Sequence, residues 1–131
     1  MNQKELDKIL DNHKLWLSSN GEKGEKADLS DADLSYANLR SADLSDADLD
    51  FSAFPLWCGG LNVHIDDKQA TQLLYHLVRN VQFSKNTSKE LKKLCRLKSI
   101  IKQANKFHRV NECGEIREKA ERALKEREQN G

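Results

Sequence analysis

Cys58, His64, His76, Cys95, His108 and Cys113 supply the thiolate and imidazole groups that a zinc site or a nucleophile–base pair would draw on. Their spacing contains no two close pairs of the kind a structural zinc site uses, and Cys95 falls on an apolar helical face. Metal ligation is therefore not assigned. His64, Asp66 and Asp67 lie close together beyond the turn at Gly59-Gly60, where they read as a strand end and a helix cap. No Gly-rich phosphate loop, HExxH, CxxC or GxSxG sequence occurs. No residue pair supplies the matched general acid and base that catalysis needs. The expectation is a protein without catalytic residues and without a cofactor.

Charge is the second kind of chemistry, and it is segregated. The net charge is +1, yet residues 27–67 carry nine acids and one arginine for −8, whereas residues 68–131 carry sixteen lysines and arginines against seven acids for +9. Asp28, Asp31, Asp33, Asp43, Asp46, Asp48 and Asp50 form a candidate acidic face for a partner. Lys85, Lys89, Lys92, Lys93 and Arg96 fall at helical spacing and form a candidate phosphate-binding face. Two plainer readings stand beside these. The aspartates are what an outward repeat position tolerates, and the lysines are a solvated helix face, or one that pairs with the acidic segment of a neighbouring copy.

The element that must present the aspartates is a repeat. Ala27, Ala32, Ala37, Ala42 and Ala47 recur every five residues, as do Leu29, Leu34, Leu39, Leu44 and Leu49; Ser52 and Phe54 continue the two series. Five residues advance an α-helix by about 140°, so the leucines would scatter around its axis. On a strand they would fall on alternate faces. A chain that turns a corner at every repeat keeps all of them inside.

The run ADLSD, ADLSY, ANLRS, ADLSD, ADLDF followed by the degraded SAFPL resembles the pentapeptide-repeat family, over about 30 of the 131 residues. The resemblance implies an α+β architecture: a short right-handed quadrilateral β-helix of about one and a half coils, with Asp28 beneath Asp48. So short a stack needs caps at its open ends. Some members of that family mimic duplex DNA and inhibit enzymes that handle it, including topoisomerases. This chain is expected to be a short member of the phage or prophage type with a C-terminal helical region.

Three segments follow: a capping helix in 1–20, the repeat and a closing strand in 21–65, and a basic helical region in 66–131. Leu6, Ile9, Leu10, His13, Trp16 and Leu17 stripe one face of a helix over 3–17. Leu61, Val63 and Ile65 alternate as a strand. Helices are expected over 68–82, with Ala70, Leu73, Leu74, Leu77, Val78 and Val81 inward, and over 89–107. A last one beyond Gly114 is marked by Ile116, Ala120, Ala123 and Leu124. The N-terminus lacks a signal-peptide pattern and no apolar run approaches the roughly 18 residues of a membrane span, so a cytoplasmic protein with free cysteines is expected. The function expected is a binding protein, plausibly homodimeric, that inhibits or sequesters a host protein, either a nucleic-acid-handling enzyme or an anti-phage defence enzyme. The alternative is a nucleic-acid or small-nucleotide binder that uses the basic helices.

Overall fold

The computed structural model describes residues 1–117. The chain divides into two units, residues 1–69 and 70–131, and each has its own core.

In the first unit, α1 (Gln3–Ser18) begins with a reciprocal cap. The Asn2 side chain accepts the Glu5 N–H at 2.8 Å, and the Glu5 carboxylate accepts the Asn2 N–H at 3.4 Å. Leu6 and His13 are buried on the inward face of α1, with Ile9 and Leu10 partly buried beside the leucine core. Leu29, Leu34, Leu39 and Leu44 are each at most 1% exposed.

What turns the chain is local. Each repeat leucine carbonyl accepts the N–H three residues on, as in Ala32 to Leu29, Ala37 to Leu34, Ala42 to Leu39, Ala47 to Leu44 and Ser52 to Leu49. The third residue of four of these turns, Asp31, Ser41, Asp46 and Phe51, has φ between 60° and 68°, as a type II turn demands. Each corner swings the chain by one side, and residues about twenty apart come together. Leu29 N–H reaches the Asp48 carbonyl at 2.9 Å and Leu34 N–H the Ala53 carbonyl at 2.8 Å. Leu39 N–H pairs with Gly59, and Leu44 N–H with His64, each one residue further along. The extra residue is absorbed near Trp57, whose indole lies where a Cβ on Gly59 would stand 2.3 Å from the ring.

The expected α+β quadrilateral β-helix is not what forms. Among the described residues there is no β-strand and no sheet; residues 61–65 are not a strand either, and regular structure is helical, with turns and irregular chain between the helices. Pairing is confined to three isolated bridges, Asp28 with Asp48, Asp33 with Ala53 and Asp43 with His64. The reason lies in the turns. With a turn every five residues, each side offers only two or three extended residues, too few for a ladder whose usual strand is about five residues long.

The helix α2 (Asp67–Phe83) starts in the first unit and continues into the second. The core of the second unit gathers Tyr75, Val78, Val81, Cys95, Ile101, Ala104, Phe107 and Ile116. The inward face of α2 is Thr71, Tyr75, Val78 and Val81, whereas Ala70, Leu73 and Leu77, expected inside, are exposed.

In place of a single helix over 89–107, two short ones form, α3 (Lys89–Leu94) and α4 (Lys98–Ala104), and a third, α5 (Val110–Cys113), follows beyond it. A continuous helix would carry the Leu91–Cys95 face on to Lys98 and Lys102, and burying two ammonium groups is costly. The break at 95–97 turns Ile101 and Ala104 inward instead. Ile116 joins this core, and Ala120, Ala123 and Leu124 of the expected last helix lie outside the described residues. No helix among the described residues is long and apolar enough to cross a membrane.

Candidate functional site

The acidic residues owe their positions to turns that enclose or follow each leucine. Asp28 Oδ1 accepts the Ser30 N–H at 3.0 Å, and Asp33 Oδ1 the Ser35 N–H at 3.0 Å. Asp43 and Asp48 accept the Ser45 and Asp50 N–H groups at 2.9 Å, and Asn38 accepts that of Arg40 at 3.1 Å. These are Asx turns, in which a short side chain imitates a backbone carbonyl.

The serine hydroxyls of Ser30 and Ser35 add a second bond to the same oxygens. Hydrogen bonding to the charged form holds the Asp28, Asp33 and Asp43 carboxyls below their ordinary value of 3.8; the side-chain bond from Ser30, Ser35 or Ser45 is the main cause and the backbone N–H the next. Asp31 and Asp46 occupy the left-handed turn positions. All of these except Asp50, which is half-buried, are exposed. One oxygen of each turn aspartate serves the fold, and the charge still faces outward in a fixed orientation.

Two buried polar residues brace this surface from below. His13 Nδ1 accepts the Ala27 N–H at 3.0 Å, so Nε2 bears the proton and donates to the Ser45 carbonyl at 2.8 Å. Asp66 and Gln69 form a capping box at the start of α2. The second Asp66 oxygen accepts the Asp46 N–H at 2.7 Å, and the Gln69 amide donates to the carbonyls of Leu44 and Ala47.

Sequence reasoning did not single out the apolar side chains on the same unit. Tyr36 is 93% exposed, Leu56 95% and Trp57 48%. The Trp57 indole donates to the Ala37 carbonyl at 3.0 Å, which fixes the ring next to Tyr36 in the chain path. Asp33 lines the same shallow depression as Tyr36 and Met1. The only prior signal was their types: Tyr36 and Leu56 stand at the fifth repeat position, filled elsewhere by Asp31, Ser41, Asp46 and Phe51, and Trp57 directly follows the last repeat.

The basic residues do not share one helical side. Lys85 lies in the loop between α2 and α3, and Lys89, Lys93 and Arg96 are exposed on or just after α3. The Lys92 ammonium donates to the Val81 and Ser84 carbonyls, where it caps the negative end of α2. Of the thiols, Cys58 and Cys113 are exposed and Cys95 is buried, all three free. His76 and His108 both meet the edge of the Phe107 ring, at 5.5 and 5.0 Å between ring centres. Among the described residues no three His, Cys, Asp or Glu side chains stand together as a metal site.

No curated protein and no solved structure matches the chain. The family model for pentapeptide repeats (8 copies) matches residues 25–54, the segment in which the Asx turns and the buried leucines alternate.

Proposed function

We propose that this chain is a non-enzymatic protein-binding module whose aspartate-lined repeat docks on a basic surface of a host protein, the kind of surface that nucleic-acid-handling enzymes carry. The observation that supports this reading is the orientation of the carboxylates. Their turn bonds freeze them before binding, which removes ordering cost from the association. The repeat sets only Asp28 against another aspartate, Asp48, across a bridge, so it imitates a short charge cluster rather than a length of duplex. The alternative, phosphate binding by the basic helices, has less behind it, because Lys92 is already held by the α2 carbonyls.

Asn38 supplies the design of the test, since an asparagine makes the same turn without charge. The full chain and its Asp28→Asn, Asp33→Asn, Asp43→Asn, Asp48→Asn variant are immobilised and exposed to host lysate. The expected result is a stoichiometric partner that the wild type retains at low salt and the variant, still folded by circular dichroism, does not. Equal retention by both proteins, or no retained partner, overturns the proposal.

A further inference from the structure

Two groups of three exposed apolar side chains sit on oppositely charged parts of the chain. On the first unit, Tyr36, Leu56 and Trp57 are exposed; Tyr36 lines a depression with Asp33, and the Trp57 indole is bonded to the carbonyl of the next residue, Ala37, all in a segment of net charge −8. On the second, Leu91, Leu94 and Leu97 are 46%, 52% and 47% exposed. Lys89, Lys93, Arg96 and Lys98 lie between and around them, all exposed, in a segment of net charge +9.

An apolar centre with a charged rim is the anatomy of a protein interface, and Tyr and Trp are the residues on which binding energy concentrates. Each patch alone would repel its own kind through the like-charged rim. Each is complementary to the other.

We infer that the chain self-associates head to tail, the Tyr36–Leu56–Trp57 corner of one copy taking the Leu91–Leu94–Leu97 face of a second. Reciprocal contacts close such a pair into a two-fold dimer, and unreciprocated ones extend it. The partner is a second copy because the complementary rim and the complementary apolar triad both exist in this sequence. The inference is independent of the host-protein reading and is measured on the purified chain alone.

Sedimentation velocity on the full chain tests it. The expected result is a concentration-dependent shift to a dimer or larger species, weakened roughly tenfold or more as salt is raised from about 0.05 to 0.5 M and rim charges are screened. Leu56→Lys should abolish association, as should the pair Lys93→Glu and Arg96→Glu. All these side chains are exposed, so circular dichroism should show each variant folded.

Mixing the two variants is the decisive arm. One retains an intact basic face and the other an intact corner, so the mixture should regain a heterodimer that neither forms alone. A chain monomeric at every concentration, association indifferent to salt, a mixture that stays monomeric, or self-association of the Lys93→Glu, Arg96→Glu variant through its intact corner would overturn the inference.

Discussion

The Ala27 N–H donates to Nδ1 of His13 at 3.0 Å, which fixes which ring nitrogen carries the proton fourteen residues earlier in the chain. With Nε2 given to the Ser45 carbonyl, a fully buried histidine closes the first pass of the repeat without leaving a polar atom unsatisfied. His13→Leu keeps the volume and removes both bonds, stranding an amide and a carbonyl at about 1–3 kcal/mol each. His13→Gln, which offers one acceptor and one donor, should recover part of the loss. Urea unfolding followed by tryptophan fluorescence measures this cleanly, because Trp16 and Trp57 both belong to the first unit.

Gln69 is the corresponding brace at the start of α2. It is 2% exposed and donates to Leu44 and Ala47 while completing the Asp66 cap. Gln69→Leu should lower stability of the first unit by about 2–4 kcal/mol, with two carbonyls and an N-cap affected together. Gln69→Glu keeps the acceptor for the Asp66 N–H but sets a buried carboxylate against the Leu44 and Ala47 carbonyls, so it should cost at least as much as the leucine. A denaturant midpoint unchanged in the leucine variant would show that the carbonyls find water instead.

Acid should loosen the repeat in a way that depends on three serines. The carboxyls of Asp28, Asp33 and Asp43 are held below 3.8 chiefly by Ser30, Ser35 and Ser45. A depressed folded value means that the stability these groups contribute is fully present above the unfolded value of about 3.9 and is lost as pH falls through the folded one. Replacing the three serines with alanine should therefore move the carboxyl titrations upward in carbon-detected NMR. It should also flatten the fall in melting temperature below about pH 4. Identical acid profiles for both proteins would contradict the assignment.

Phe51 holds a φ of 63° although it is neither glycine nor asparagine, and its side chain is 71% exposed. A left-handed conformation costs such a residue about 1–2 kcal/mol. Phe51→Asn should raise stability by up to about 1 kcal/mol, since little apolar burial is surrendered, and Phe51→Val should lower it. A denaturation midpoint that drops with asparagine would mean the ring contributes more packing than its exposure indicates.

The leucine series was legible because a period of five excludes both regular elements, and the structure buries every leucine it marks from Leu29 to Leu49. The consequence drawn from it was wrong. Turns arriving every five residues leave sides too short for strands, and bridges form in their place. The aspartates were read as charge, although Asp-x-Ser and Asn-x-Arg at a spacing of two already spelled Asx turns. The break in the expected 89–107 helix was written in Lys98 and Lys102, which one continuous face would have buried. His13 appeared in the α1 stripe, but nothing in its spacing announced an amide fourteen residues away. The exposure of Tyr36 and Leu56 follows from register, since both share the outward fifth position with Asp31, Ser41, Asp46 and Phe51, but their apolar type gave no reason to expect it.

The single extra residue near Trp57 separates chain length from alignment. Before it, the partners to which Leu29, Asp31 and Leu34 donate lie 19 further along; after it, those of Leu39 and Leu44 lie 20 further and that of Ser41 lies 21 further, and the bonds are equally short. That corner thus carries a change of spacing while the leucine pairings on both sides of it keep their bonds. It is the natural splice point for a grafted peptide or a cleavage sequence between Leu56 and Cys58, and a library diversified there would inherit a scaffold whose interior does not register the change.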